Sequence, residues 1–175
     1  MNAGSAGASE TVAPGTVAEK PAQPTFEILP LFPNAGRIWL LRPRDVGSWM
    51  VDAPARRDPH EVVESALRLH GLTSRVIHST SWRLESERLV LTYLVMLSRP
   101  SSSVPGFEQV VVRRTDLARA GPYRAPRSID IGQVVEHGLR HVSWLAADDT
   151  DLRDALAPAW LKALAVYRPE PSRML

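Results

Sequence analysis

The sequence predicts an α/β protein in which a mixed sheet is packed between helices and followed by a C-terminal helix pair. Three observations support this. The middle of the chain holds two strand-like apolar runs, at 74–84 and 88–97. A well-delimited amphipathic helix precedes them, and the last third has helical periodicity. Strands on both sides of a helix, followed by more helices, favour a sheet covered by helices.

Length and composition point to a soluble globular protein. The 175 residues suffice for one domain with its own core. Hydrophobic residues make up 44% of the chain and charged residues 23%, ordinary values for this class. Cysteine is absent, which excludes disulfides and thiol catalysis. No apolar run approaches the roughly 20 residues of a membrane span, and no signal-peptide pattern is present. We expect a cytoplasmic protein without membrane contacts.

Composition also divides the chain. Residues 1–25 are rich in Ala, Gly, Ser, Thr and Pro and contain no aromatic residue. Such a segment buries too little apolar surface to offset its ordering entropy, so we predict a disordered tail. We predict a single domain over 26–168 and an irregular end over 169–175.

Five segments have strand character. The short apolar run 37–41 ends at an Arg-Pro pair, and 48–51 follows as another extended piece. In 74–84 apolar and polar residues alternate, as in a half-buried strand. The run 88–97 is almost continuously apolar, as in a central strand. The segment 107–114 is β-rich and leads into a loop with many Arg and Pro residues.

One helix is delimited clearly by its capping residues. Asp58 is a good N-cap, Pro59 suits the first helical position, and Glu61 completes a capping box. Gly71 is a natural C-terminal cap. The residues between them form one apolar face: Val62, Val63, Ala66, Leu67 and Leu69.

The last third of the chain is predicted to form two helices. Asp130 can cap a helix that extends to about Ala147. A second helix runs from about Thr150 to Val166, and Pro158 should kink or interrupt it.

The order of these elements resembles the Nudix hydrolase family. The segment "IWLLRPRDVGSWMV" is similar to the family's approach to its motif. The segment "DPHEVVESALRLHGL" is similar to its central helix, and "VIHSTSWRLESERLVLTYLVML" to the hairpin that follows. Together they span roughly 36–98. The resemblance implies a Nudix-like fold, and a phosphoanhydride hydrolase in which glutamates hold Mg²⁺ or Mn²⁺.

The family's metal-binding glutamates are not matched. When the motif is anchored on Gly71, its first glutamate falls on Arg56. Its later acidic positions fall on Ser65, Arg68 and Leu69. Hard cations need clustered oxygen ligands, mostly anionic. We therefore expect no catalytic residues and no cofactor, with Mg²⁺ retained only in the hydrolase alternative below.

The two remaining acids of this helix have structural explanations. Glu64 and Arg68 are four residues apart in the favourable order, a surface pair that stabilises by about 0.3–0.5 kcal/mol. Glu61 belongs to the capping box.

Arginines around the motif are the candidate ligand-binding residues. Arg42, Arg44, Arg56 and Arg57 lie in it or before it, beside Glu61 and Glu64. A second group follows later in the chain: Arg113, Arg114, Arg119, Arg124 and Arg127. Guanidinium groups facing one cleft would hold a phosphate or carboxylate by bidentate contacts. Interspersed aspartates dilute the charge, so a nucleic-acid partner is not expected.

A helix face in the C-terminal third carries two histidines. His137 and His141 are four residues apart, and Asp148 continues the same stripe. Side chains at this spacing can bind a transition metal. An amphipathic helix surface explains them better, so we predict no metal site and keep this set only as the alternative.

The sequence therefore predicts a non-catalytic Nudix-like binding or regulatory module, with a small phosphorylated or nucleotide-like ligand as its candidate partner. One alternative is a divergent metal-dependent hydrolase that recruits acids such as Glu61, Glu64 or Glu108. Another is a protein–protein interaction module whose C-terminal helices expose an apolar stripe to a protein partner.

Overall fold

The computed structural model describes residues 23–54, 56–85, 87–98, 103–117 and 129–167. The predicted tail, except for its last three residues, and the predicted irregular end lie outside these ranges. None of the helices within them is both long and apolar enough to cross a membrane. The strands are β1 (Thr25–Asn34), β2 (Arg37–Pro43), β3 (Trp49–Asp52), β4 (Ser74–Glu85), β5 (Arg88–Leu97) and β6 (Phe107–Val111). The helices are α1 (Pro59–Leu69), α2 (Ile131–Asp148), α3 (Thr150–Ala155) and α4 (Pro158–Leu164).

The strands form one open mixed sheet. The order is β4-β5-β1-β2-β6, and β3 pairs with β1 beside β2. Strand β1 runs parallel to β5, whereas the other pairs are antiparallel. The second edge of β1 is shared, because its first half pairs with β3 and its last residues pair with β2. The predicted α/β class and mixed sheet are confirmed.

The central strand β1 was not predicted. Its prolines, Pro30 and Pro33, argue against a central strand because proline donates no ladder hydrogen bond. Pro30 lies between the last pair with β3, at Ile28, and the first pair with β2, at Leu31. Pro33 lies past Leu31, the last residue that pairs with β5. Each proline therefore has a partner strand on one side only, where a missing N–H is tolerated.

The sheet buries both of its faces. Alternate side chains of a strand point to opposite faces, so β1 contributes to two cores. The first core lies under α1 and includes Phe26, Ile28, Phe32, Leu41, Val63, Leu67 and Phe107. The second lies under α2 and α4 and includes Leu29, Leu31, Leu40, Leu94, Met96, Leu139 and Trp160. The sheet is therefore packed between helices, as predicted.

Helix α1 begins as predicted, with one difference. The Asp58 side chain accepts hydrogen bonds from the backbone N–H groups of His60 (2.7 Å) and Glu61 (3.4 Å). This is half of a capping box. The Glu61 carboxylate lies 3.9 Å from the Arg57 guanidinium. The prediction that Glu61 completes the box was wrong, because the carboxylate is drawn to a charged partner one turn away.

Helix α1 ends at the predicted glycine. Gly71 has φ +67°, a conformation that glycine adopts without strain. Its N–H donates to the Arg68 carbonyl, and the Leu72 N–H donates to the Leu67 carbonyl, each at 3.0 Å. This is the Schellman arrangement. It turns the chain directly from α1 into β4.

Residues 129–167 form three helices. Asp130 caps α2 in a complete capping box with Gln133. Pro158 stands at the start of α4, so the predicted second helix is divided in two as its ring requires. Trp160 of α4 is fully buried and donates to the Leu97 carbonyl at 2.8 Å, which anchors this helix to the sheet.

Helix α2 approaches the sheet closely at Gly138. A Cβ atom built there would lie 2.7 Å from Leu94 Cδ1 and 2.9 Å from Thr80 Cγ2. Leu94 is fully buried, so a side chain at this position would force Leu94 or the helix to shift. Packing therefore favours glycine here, although glycine costs helix propensity.

We predict that Gly138→Val lowers the free energy of unfolding by about 1–3 kcal/mol, because the added methyl groups overpack the contact with β4 and β5. Gly47→Val is the control, since a Cβ at Gly47 meets nothing within 4 Å. Urea denaturation of both variants measures the difference. Equal stability of the two would show that the close approach is not a constraint.

Candidate functional site

The outer face of α1 carries the acids that the motif resemblance singled out. Glu61 and Glu64 are both exposed. Glu61 lies near Arg57, and the Glu64 carboxylate accepts from Arg68 at 3.3 Å, which confirms the predicted surface pair. Arg68 also donates to Ser65 Oγ at 3.0 Å. Each of these two acids therefore has an arginine as its neighbour on the helix surface.

Carboxylates and histidines do not gather into a metal site in the part of the chain that the structure describes. No three or more His, Asp or Glu side chains there lie close enough together to hold an ion. The alternative set His137, His141 and Asp148 is therefore not brought together, and Glu61 and Glu64 acquire no third acid. Helical spacing placed these side chains on one face without making them converge.

The first arginine group is separated in the structure. Arg42 of β2 faces Glu108 of β6 and donates to its carboxylate at 2.8 and 2.5 Å. The alternation that buries Ile38 and Leu40 under α2 places Arg42 on that same face of the sheet. Arg44 donates to a backbone carbonyl of β6 at 3.3 Å.

The other two members of that group lie before α1. Arg56 and Arg57 are exposed in the segment that leads into the helix on the opposite face of the sheet. Arg42 lies on the α2 face of the sheet, so the structure does not bring all four arginines into one cleft. Their role in ligand binding stays a prediction.

The later arginine group contributes a structural contact. Arg114 pairs with the fully buried Glu136 at 2.9 Å, and its guanidinium lies 4.6 Å from the centre of the Tyr167 ring. Arg140 is a second partner of Glu136 at 2.7 Å. Burial alone would raise the pKa of Glu136, but hydrogen bonds from both arginines hold this pKa below its usual value. Arg119, Arg124 and Arg127 lie outside the described residues.

A groove of about 550 Å³ opens on the α2 side of the sheet, beyond the second core. Strand pairing assembles it, since Thr25 of β1 stands opposite both Asp52 of β3 and Val90 of β5. Glu85 and Arg88 face each other at the β4–β5 turn. The lining residues are Thr25, Met50, Asp52, Glu85, Arg88 and Val90.

Next to this groove lies a buried charge. Glu27 is only 3% exposed, and it accepts hydrogen bonds from Arg83 at 2.6 and 3.2 Å and from Thr92 Oγ1 at 2.8 Å. Burial alone would raise the pKa of Glu27. The hydrogen bonds from Arg83 and Thr92 outweigh it and hold the pKa below its ordinary value. Arg83 also donates to Glu85 at 2.5 Å, which links the buried charge to the groove.

The groove residues were not predicted from the sequence. One signal was available, since Glu27 stands between Phe26 and Ile28 in an apolar run, and a charge in such a run needs a buried partner. Arg88 differs from Arg83 because it forms no side-chain hydrogen bond or ion pair with the described residues. It is the groove's unpaired cation.

A second polar contact joins β4 to α2. His78 Nε2 and His141 Nδ1 lie 3.0 Å apart, and the His141 ring stacks on Trp144 with its centre 5.9 Å away. Burial lowers the pKa of His78, and nearby positive charge at His141 and His60 lowers this pKa further.

No family model and no curated protein matches the chain.

We predict that Glu27→Ala lowers the free energy of unfolding by about 3 kcal/mol or more, because it leaves Arg83 partly buried with an incomplete set of partners. Glu64→Ala removes an exposed pair of the same type and should cost less than about 1 kcal/mol. Denaturant titration of both variants measures the contrast.

The pH dependence has a defined sign. A carboxyl with a lowered folded-state pKa stabilises fully above the ordinary glutamate pKa of 4.5, and this contribution is lost as pH falls through the folded-state value. The Glu27→Ala variant should therefore lose less stability than the unchanged chain when pH falls below about 4.5. Equal losses in the two proteins would contradict the assigned role of Glu27.

Proposed function

We propose that this chain is a non-catalytic binding or regulatory module with a Nudix-like fold, and that its ligand is a small phosphorylated or nucleotide-like molecule. The observation that carries the proposal is the pairing of Glu61 with Arg57 and of Glu64 with Arg68 on the exposed face of α1. Metal-assisted displacement at a phosphoanhydride needs clustered carboxylates instead.

The groove beside Glu27 supports a ligand-binding role. Its volume lies within the range of about 300–1,000 Å³ that is usual for small-molecule sites. Both lining acids already have donors, because Glu85 accepts from Arg83 and Asp52 accepts from Thr25 at 3.4 Å. Arg88, the lining cation that pairs with no side chain in the part of the chain that the structure describes, is left for an anionic group.

Arg88 suits a phosphate by its chemistry. A guanidinium presents parallel N–H donors that match two oxygens of a phosphate or carboxylate. Met50 and Val90 supply apolar surface in the same groove, against which a base or sugar would pack. In this proposal arginine, in place of a metal ion, neutralises the ligand.

We predict that the full chain is stabilised by at least one member of a panel of nucleoside phosphates and sugar phosphates, with no Mg²⁺ added. A ligand at 100 times its Kd stabilises by about 2.7 kcal/mol, which a thermal-shift measurement detects. Arg88→Gln should weaken binding by about tenfold or more, because a charge-assisted contact is lost. Arg37→Gln, an exposed arginine at the other end of the sheet, should leave binding unchanged.

Two results would contradict the proposal. Mg²⁺-dependent hydrolysis of nucleoside diphosphate derivatives, lost in Glu64→Gln, would establish the divergent hydrolase. Absence of any stabilisation across the panel would remove the phosphorylated ligand and favour a protein partner.

One observation favours the protein-interaction alternative. A groove of about 460 Å³ separates α2 from α4, and the large aromatic side chain at its edge, Trp144, is 48% exposed. Much of the remaining lining is small or aliphatic: Ser143, Ala146, Ala147, Leu161, Leu164 and Ala165. A protein partner would bury this surface and leave the groove beside Glu27 unused.

A further inference from the structure

The contact between β4 and α2 brings together two imidazoles that the proposed function does not use. We propose that His78 and His141 form an open two-histidine site for a transition-metal ion such as Cu²⁺, Ni²⁺ or Zn²⁺. His78 Nε2 and His141 Nδ1 are the protein ligands, and water completes the coordination.

The geometry of the pair is close to that of a chelate. The two nitrogens are 3.0 Å apart, so the N–H of one ring donates a hydrogen bond to the lone pair of the other. A metal ion bound at about 2.0–2.1 Å to each nitrogen in tetrahedral geometry separates the nitrogens by roughly 3.3 Å. When a metal ion binds, the donating ring takes its other neutral tautomer, with the proton on the ring nitrogen that faces away from the ion. The rings then need to part by only a few tenths of an ångström.

Both rings are held in place by their surroundings. His78 lies on β4 opposite Leu94, whose side chain is fully buried. His141 stacks almost parallel to Trp144, with 12° between the ring planes. One turn earlier, Gly138 fixes the distance between α2 and the sheet. A pair of ligands on two rigid elements loses little conformational freedom when an ion binds.

The site differs from the one that helical spacing predicted. His141 is common to both, but its partner comes from β4, and no third His, Asp or Glu in the described part of the chain joins the pair. Two nitrogen ligands suit borderline ions and not Mg²⁺, which prefers oxygen. Affinity should follow the order in which Cu²⁺ exceeds both Ni²⁺ and Zn²⁺.

Calorimetric titration of the full chain with Cu²⁺, Ni²⁺, Zn²⁺ and Mg²⁺ tests this proposal. We expect one Cu²⁺ per chain, weaker Ni²⁺ and Zn²⁺ binding, and no Mg²⁺ binding. His78→Gln and His141→Gln should each weaken Cu²⁺ binding by about tenfold or more. His137→Gln is the matched control, because it removes an exposed histidine from the same helix. Electron paramagnetic resonance of the Cu²⁺ complex, which needs no variant, should show two ring nitrogens on the ion.

Three outcomes would overturn the proposal. One is absence of Cu²⁺ binding, which would leave the pair as a hydrogen bond alone. Another is Cu²⁺ binding that both His78→Gln and His141→Gln leave intact, which would place the ion elsewhere. The last is Cu²⁺ binding lost in His137→Gln, which would restore the single-helix site. None of these outcomes bears on the proposed binding of a phosphorylated ligand in the groove beside Glu27.

Discussion

The buried ion pair between Glu27 and Arg83 is the interaction on which the association of β1, β4 and β5 beside the groove depends. A buried charge is tolerated only when it is paired and hydrogen-bonded. Arg83 supplies the countercharge from β4, and Thr92 of β5 donates a further hydrogen bond. One carboxylate therefore ties together three strands beyond the apolar contacts of the second core. Arg83 also donates to Glu85, so the buried charge is connected to the lining of the neighbouring groove.

Helix α1 has the ends and the buried face of the helix that it resembles, but its exposed acids are arranged differently. The caps at Asp58 and Gly71 and the buried face of α1 are needed by any amphipathic helix that packs on this sheet. A metal site would need acids on the outer face to converge, yet Arg57 and Arg68 stand beside the two acids there. The packing of α1 on the sheet does not depend on its exposed acids, and this is the reason why we propose binding without catalysis.

Local features of the sequence predicted local structure well. Caps act within a few residues, so the ends of α1 and the break before α4 followed from Asp58, Gly71 and Pro158. Strand β1 was missed because its prolines are tolerated only where neighbouring strands end, and those ends are set by distant residues. The partners of Arg42 and His78 lie 66 and 63 residues away along the chain. Such pairs form only when the sheet is assembled, and the same is true of the groove beside Glu27, whose lining comes from four strands.

The proposed function requires that α1 binds no divalent cation, and a crystal soaked in Mn²⁺ can show whether this is so. Anomalous scattering locates Mn²⁺ independently of the other atoms in the crystal. We expect no manganese within coordination distance of Glu61 or Glu64. An occupied ion bound to either carboxylate would refute the proposed function and would make the divergent hydrolase the better explanation.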